Sequence, residues 1–157
     1  IGDHAFIESG AVLGDGVTIK NGVLVWEGVT LENFVFVGPA AVFTNDLFPR
    51  APRNPVASAR YHDKSWLKPT LVKEGATIGA SATIVCGVTL GRYSMVGAGA
   101  VVLKDIPDFR LVVGNPARPI GWVCMCGERL PEGKAIRCKR CGRAYTAAGT
   151  GLAPAEG

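Results

Sequence analysis

A period of six residues in the apolar side chains constrains this fold more than any other feature of the sequence. Large apolar residues occur at every sixth position over residues 1–43 and again over residues 72–102. The residue four places after each of them is small or β-branched, except after Phe43, where the run ends. The recurring residues are Ile1, Ile7, Leu13, Ile19, Val25, Leu31, Val37 and Phe43, then Val72, Ile78, Ile84, Leu90, Val96 and Val102.

This period fits neither a helix, which repeats about every 3.6 residues, nor a strand, which alternates every 2 residues. It predicts a β-helix, in which each hexad forms one side of a triangular prism and successive coils stack as parallel strands roughly 4.8 Å apart. Glycine, at 21 of 157 residues, suits the corners because it relieves backbone strain there. The alternative is a β-sandwich with accidental spacing, which so many positions in register disfavour.

The charge distribution excludes several classes of partner. Net charge is +4, of which residues 120–157 contribute +3 and the rest +1, so the body of the chain has no nucleic-acid footprint. No apolar run reaches the roughly 18 residues of a membrane span, and no signal-peptide layout is present. We therefore expect a cytoplasmic protein without nucleic-acid or membrane partners. The first residue is Ile1 rather than Met, which predicts a missing or removed N-terminal piece.

A protruding loop interrupts the hexads at residues 44–71. The spacing from Phe43 to Val72 is not a multiple of six, so the chain must leave the prism and return. Long loops in compact domains are usually functional or disordered. The aromatic residues Phe48, Tyr61 and Trp66 favour an ordered loop that packs against another surface, such as a neighbouring subunit.

The hexads follow the pattern [LIV]-G-x-x-[small]-x and resemble those of the hexapeptide-repeat, left-handed β-helix acyltransferases. A more specific resemblance, to one group of enzymes within this family, comes from the segments 42–51, 69–91, 96–107 and 112–123. These segments are similar to UDP-2-acetamido-3-amino-2,3-dideoxyglucuronate N-acetyltransferases of surface-polysaccharide biosynthesis. The resemblance implies a left-handed fold, a homotrimer and an acetyl-CoA site between two subunits. Family members usually carry further coils before the point where this chain begins.

The resemblance favours catalytic residues in or beside the protruding loop. The Asn45 amide would hold the acceptor amine or donate to the oxyanion; alternatively it begins an Asx-turn. Asp46 would take a proton or orient the sugar, or it is a solvated turn carboxylate. His62 is the candidate general base because many relatives use a loop histidine. Neither His62 nor His4 matches a catalytic pattern, and both fit ordinary surface residues. If neither acts as a general base, the substrate amine must already be neutral when it binds.

Substrate and cofactor residues also follow from the resemblance. We expect the nucleotide sugar to contact outward-facing residues of the early coils and of the protruding loop, although these residues also fit an ordinary solvated surface. We expect coenzyme A to contact small residues that admit the pantetheine arm, with basic residues for its phosphates. The substrate candidates are Lys20, Asn21, Trp26 and Arg50; the cofactor candidates are Gly79, Ala80, Gly97, Ala98, Lys104 and Arg118.

Two cysteine motifs near the C-terminus predict a metal site. Cys124 and Cys126 form C-x-C-G, and Cys138 and Cys141 form C-x2-C-G. Four thiolates suit a closed tetrahedral zinc site, although the first motif has one intervening residue instead of the usual two. A disulfide pair, or a site that no longer binds metal, remains an alternative. Cys86 is interpreted as a small packed residue.

These observations divide the chain as follows: β-helix coils at 1–43, the protruding loop at 44–71, coils and a terminating segment at 72–119, a zinc-ribbon-like appendage at 120–147, and a disordered tail at 148–157. The function predicted first is acetyl-CoA-dependent N-acetylation of a nucleotide-linked amino sugar. A silent β-helix scaffold with a metal-binding module, or acetylation of another small acceptor, is the alternative. A γ-type carbonic anhydrase shares the prism but needs three zinc-bound histidines, and this chain has two.

Overall fold

The structure is a computed structural model that describes residues 1–133 and 136–155. It is mainly β, with one short 3-10 helix at Ser58–Tyr61, and three of its sheets form the faces of a prism. Face I consists of β1 (Phe6–Ile7), β4 (Leu24–Val25), β7 (Val42–Phe43), β10 (Thr83–Ile84) and β13 (Val101–Val102). Face II consists of β2 (Val12–Leu13), β5 (Val29–Leu31), β8 (Thr70–Val72) and β11 (Thr89–Leu90). Face III consists of β3 (Thr18–Ile19), β6 (Phe36–Val37), β9 (Thr77–Ile78), β12 (Met95–Val96), β14 (Arg110–Val113) and β15 (Arg118–Trp122).

Successive coils stack in parallel with a register of 18 residues. Phe6 pairs with Leu24, and Ile7 pairs with Val25. Each hexad therefore supplies one strand and one corner, and the chain returns to the same face one coil higher. The predicted parallel β-helix is confirmed, and its sheets are consistent with the left-handed form that the resemblance implies.

The recurring apolar residues fill the interior of the prism. From Ile19 to Val102, every member of the two runs is at most 1% exposed. Only the first coil departs from this pattern, and Ile1 is 80% exposed. The reason is geometric, because residues of the first coil have a neighbouring coil on one side only. Ile7 and Leu13 are partly buried and pack against the same core.

Close stacking at one corner explains why particular hexads require glycine. We name each corner by the two faces that it joins. At the III/I corner, a Cβ added to Gly79 would lie 2.5 Å from the backbone nitrogen of Ala98 in the next coil. Two residues later, Ser81 has a φ of 56°, a left-handed conformation that a non-glycine residue adopts at a cost. Coil stacking thus requires glycine at position 79 and tolerates a side chain at position 81.

The protruding loop leaves the prism at the I/II corner. It begins after β7 and ends at Pro69, because Thr70–Val72 forms β8 and pairs with β5. The predicted boundary at residue 71 was therefore two residues too late. Leu31 pairs with Val72 across the insertion, so the coils on both sides of the loop keep continuous ladders.

The prism ends where β14 pairs with β12 in parallel and with β15 antiparallel. Beyond β15 lies the C-terminal module, residues 123–133 and 136–155. It contains β16 (Ile136–Arg137), β17 (Ala144–Ala148) and β18 (Gly151–Pro154) in one antiparallel sheet. β15 crosses the predicted boundary at residue 120.

The predicted disorder of residues 148–157 is wrong for residues 148–155, which comprise the end of β17, a turn and β18. Gly151–Pro154 forms β18, and Leu152 is 4% exposed. The Leu152 N–H donates to the carbonyl of Asp108 at 3.3 Å, which ties β18 to the last coil of the prism. The prediction of disorder relied on the small residues of this segment and did not account for its one leucine, which is buried. Residues 156–157 of the predicted tail lie outside the described residues.

Within the described residues, no helix combines the length and apolar character that a membrane crossing requires.

Two substitutions at the III/I corner should differ in their effect on stability. Gly79→Ala should lower the free energy of unfolding by about 1–3 kcal/mol, because the new methyl group meets the backbone of the next coil. Ser81→Gly should stay within about 1 kcal/mol of the parent protein, because it relieves a left-handed residue while loosening the unfolded chain. Thermal unfolding measures both, and an unchanged melting temperature for Gly79→Ala would contradict this account of the stacking.

Candidate active site and cysteine cluster

The corners on either side of face I carry most of the predicted site residues. Several residues from different coils stack at the III/I corner because each occupies the same position of its hexad. The Gly79 N–H donates to the carbonyl of Val96 at 2.8 Å, and the Gly99 N–H donates to that of Ala80 at 2.8 Å. The predicted site residues that this corner brings together are Lys20, Asn21, Gly79, Ala80, Gly97 and Ala98.

The structure gives Gly79 a different role from the predicted one, which was to make room for the pantetheine arm. The backbone of the next coil fills the space beside Gly79, so the missing side chain does not open room for a ligand. Ala98 is exposed and Ala80 is partly exposed. These two alanines leave the corner accessible from outside, while Lys20 and Asn21, also exposed, lie lower on the same edge.

Asn45 lies at the opposite edge of face I, where the protruding loop begins. Its side chain is partly buried, and Nδ2 donates to the carbonyl of Glu27 at 3.4 Å. The Lys68 N–H donates to the carbonyl of Asn45 at 2.9 Å. The coil below and the end of the loop therefore fix the position of Asn45 beside face I.

Asp46 anchors the protruding loop. Its carboxylate, 8% exposed, forms an ion pair with Arg60. It also accepts hydrogen bonds from the Phe48 N–H at 2.9 Å and the Tyr61 hydroxyl at 3.1 Å. Burial acts to raise the pKa of Asp46, but the hydrogen bonds from Phe48, Arg60 and Tyr61 outweigh it and lower the pKa. A carboxylate held in this way is a weak proton acceptor and a strong structural anchor.

The other residues predicted for catalysis or for binding the nucleotide sugar do not form one group. His62 is exposed and directly follows the short helix, and no hydrogen bond among the described residues joins it to Asn45 or Asp46. Arg50 is also exposed, and its Nη1 donates to the neighbouring Pro49 carbonyl at 2.9 Å. Trp26 packs against the prism and lies 5.3 Å from the Phe6 ring, centroid to centroid.

A cavity of about 350 Å³ lies at the C-terminal end of the prism. Lys104 and Arg118, predicted for the cofactor phosphates, both line it. Arg110 also lines it and was missed by the sequence analysis. Its guanidinium lies 3.5 Å from the centroid of the Trp122 ring, and burial lowers its pKa. The hexad spacing gives no signal for Arg110, because β14 pairs with β15 across a turn beyond the last hexad.

The four C-terminal cysteines form one cluster. Their Sγ atoms all lie within 4.8 Å of one another. The Cys124 and Cys141 sulfurs are 3.5 Å apart, and the Cys126 and Cys138 sulfurs are 3.6 Å apart. These separations exceed the S–S bond of about 2.05 Å. They are close to the roughly 3.8 Å between thiolates around tetrahedral zinc, given Zn–S distances near 2.3 Å. The cluster therefore fits a metal ion.

Backbone turns present the thiols to a common point. The Gly127 N–H donates to the Cys124 carbonyl at 2.8 Å, and the Gly142 N–H donates to the Cys138 carbonyl at 2.9 Å. The Tyr145 hydroxyl lies 2.9 Å from the Cys124 sulfur. Burial acts to raise the pKa of Cys124, but hydrogen bonds from the Cys126 backbone and from Tyr145 lower it to about 6. One thiolate at neutral pH is thus already favoured at the site.

The family model for the bacterial transferase hexapeptide (six repeats) matches residues 1–33 and 69–104. These are the coils on both sides of the protruding loop, and structures of the same fold are acetyltransferases. Over these coils the chain is similar to the hexapeptide-repeat transferases. It is also similar to dTDP-3-amino-3,6-dideoxy-alpha-D-galactopyranose 3-N-acetyltransferase of Aneurinibacillus thermoaerophilus, at 51% identity over 78 residues. That match covers 48% of this chain and 40% of the relative.

Two solved acetyltransferases resemble this structure. The acetyltransferase domain of PglB from Neisseria gonorrhoeae, in complex with acetyl coenzyme A, matches at 30% identity with a TM-score of 0.58, over 74% of this chain and 45% of that one. A hexapeptide-repeat acetyltransferase from Vibrio cholerae, also with acetyl coenzyme A, matches at 26% identity with a TM-score of 0.60, over 78% and 69%. The chain spans less than half the length of the Aneurinibacillus and Neisseria proteins.

Proposed function

We propose that this chain is an acetyl-CoA-dependent N-acetyltransferase acting on a nucleotide-linked amino sugar. One observation carries the proposal: Asn45 lies at one edge of face I, and the opposite edge carries Lys20, Asn21 and the exposed Ala98. The similarity to an amino-sugar N-acetyltransferase supports the same reaction. Face I then forms the floor between Asn45 and the edge that carries the predicted substrate and cofactor residues.

In this reaction the neutral amine attacks the thioester carbonyl, the C–S bond breaks, the amine loses a proton and the thiolate gains one. Asn45 is suited to orient the amine or to stabilise the oxyanion, because its own position is held by Glu27 and Lys68. Positioning of this kind supplies about 7–11 kcal/mol in favourable cases. Asp46, engaged by Arg60 and Tyr61, keeps the loop in place.

Two acceptor types deserve direct comparison. The resemblance in sequence motifs points to a UDP-linked 3-amino uronate, for which Arg50, exposed in the protruding loop, would bind the carboxylate. The Aneurinibacillus relative is named for a dTDP-linked 3-amino-3,6-dideoxy sugar, which has no carboxylate. An acetyl-transfer assay with both nucleotide sugars distinguishes them, and calorimetric titration with acetyl-CoA separates either activity from a silent scaffold.

The active assembly that we propose is a homotrimer, with a neighbouring subunit packed against the protruding loop. In the single chain this loop exposes large apolar residues, since Phe48 is 73% exposed and Val56 is 93% exposed. Contact with a neighbour would remove these surfaces from water. Light scattering should give three times the chain mass of 16.4 kDa, whereas a monomer at micromolar concentration would contradict the assembly.

Replacing Asn45 should affect catalysis far more than folding. We expect Asn45→Ala to lower kcat by about 10²–10³-fold, the usual effect of losing one oxyanion or positioning donor. The melting temperature should change little because the side chain forms one long hydrogen bond, of 3.4 Å. Steady-state acetyl transfer measures the change.

Asn54 in the same loop offers a matched control. It is exposed, and within the described residues its Oδ1 accepts only a local hydrogen bond from the Val56 N–H, so Asn54→Ala should keep near-normal turnover. His62→Asn tests the alternative base. Normal activity in Asn45→Ala together with loss of activity in His62→Asn would reassign the catalytic role to the histidine.

For the cysteine cluster we propose a structural zinc ion held by Cys124, Cys126, Cys138 and Cys141. A closed set of four thiolates with no open position suits a structural rather than a catalytic ion. The ion would balance the negative charge that several thiolates place in one small volume.

Elemental analysis under reducing conditions should find about one zinc per chain. Cys138→Ser removes a buried ligand and should abolish stoichiometric zinc. Cys86→Ser is the control, because Cys86 is buried in the prism and is not part of the cluster; its zinc content should stay unchanged. A protein purified without zinc, and unable to take it up, would contradict the assignment.

A further inference from the structure

Three cationic side chains share the cavity at the end of the prism. Lys104, Arg110 and Arg118 line it, and Asp105 is the acidic residue beside them. The Asp105 carboxylate already accepts a hydrogen bond from the Thr89 N–H at 2.7 Å. Among the described residues, none of the three cations forms an ion pair. Unpaired cations around a concave surface favour a polyanion such as a chain of phosphates.

Trp122 holds Arg110 at this cavity. The two residues are direct partners across the antiparallel pair β14–β15, and the guanidinium lies 3.5 Å from the ring centroid. An arginine stacked on an indole keeps its planar donor group in one orientation. Without the indole, the long Arg110 side chain would sample several rotamers.

The C-terminal module in turn holds β15, the strand that begins at Arg118 and ends at Trp122. Arg129 Nη2 donates to the Ile120 carbonyl at 2.6 Å, and the Leu130 N–H donates to the Trp122 carbonyl at 2.9 Å. Both donors follow directly after the first cysteine turn, which comprises residues 124–127. The outer edge of β15 is therefore secured by residues that this turn positions.

We infer that the cysteine cluster positions the phosphate-binding end of the donor site, by fixing β15 and through it Arg118 and the Trp122–Arg110 pair. This inference rests on the proposed function. The appendage and the cavity share β15. Loss of the metal would therefore loosen β15 and displace the cavity residues that this strand carries or holds.

The packing of the module explains why the metal matters for this strand. Cys124 and Cys138 belong to its small core, together with Phe109, Leu130 and Tyr145. A core of this size buries too little apolar surface to be stable alone, and small units of this kind depend on a metal. Removing the metal loosens the first cysteine turn and frees Arg129 and Leu130 from β15, while the prism keeps its own ladders.

The test compares coenzyme A binding by zinc-loaded and metal-free protein, using calorimetry. Chelation should weaken coenzyme A binding about 10- to 100-fold, the scale of one hydrogen bond to a charged group, and added zinc should restore it. In steady-state assays the KM for acetyl-CoA should rise while kcat at saturation stays within about twofold. Far-ultraviolet circular dichroism should retain the β-sheet signal.

Variants test the strand without touching the metal ligands. In zinc-loaded protein, Trp122→Leu should weaken coenzyme A binding by a similar factor, and Trp122→Phe should largely restore it because an aromatic face is kept. Arg118→Ala should weaken binding in the zinc-loaded state and add little in the metal-free state. Arg140→Ala, which removes an exposed charge on the second cysteine turn, is the charge-matched control and should bind normally.

The outcomes separate this inference from the proposed function. Equal coenzyme A affinity in zinc-loaded and metal-free protein would overturn the inference and leave the acetyltransferase proposal standing. Loss of the whole β-sheet signal on chelation would overturn it too, because the metal would then support the entire fold. No binding of coenzyme A by zinc-loaded protein would overturn the proposed function and the inference together.

Discussion

Backbone hydrogen bonds between successive coils are the constraint on which the rest of this structure depends. Each strand is only two or three residues long over most of the prism, so no strand is stable by itself. Stability comes from stacking, as the Gly2 N–H donates to the Ile19 carbonyl at 2.7 Å and the Gly38 N–H to the Ile78 carbonyl at 2.8 Å. Every corner must therefore close in the same way, which explains the strict sixfold period and the glycine at position 79.

The same constraint determines where functional groups can be placed. Inward positions are occupied by the aliphatic ladders, so chemistry is confined to corners, outward side chains and insertions. The protruding loop enters at a corner, where it lengthens the chain without breaking a ladder, since Leu31 still pairs with Val72. Its internal anchor is polar: Asp46 with Arg60 and Tyr61. A rigid prism thus supports a loop whose geometry depends on a few side-chain contacts.

The sequence predicts the prism well and the site only in part. Within each run the six-residue period determines which residues are buried and which share a corner, so Gly79 and Gly97 could be placed on one edge without coordinates. Contacts that do not follow the repeat could not be predicted. Arg60 and Tyr61 reach Asp46 across a loop of irregular structure, and Arg110 reaches Trp122 across a turn beyond the last hexad. Leu152 was missed because one buried side chain in a Gly- and Ala-rich tail carries no periodic signal.

The end of a β-helix also explains why the C-terminal module lies beside the cavity that we propose for the coenzyme A phosphates. The last coil would expose unpaired backbone and a stack of apolar side chains unless another element covered it. Here β15 pairs with β14, and the aromatic stack of Tyr93 and Phe109 at the II/III corner continues into Tyr145. The covering element must leave one side open for the proposed donor, so it cannot be large. A small module whose core includes two cysteines meets both demands, and the proposed metal would then determine the rigidity of β15.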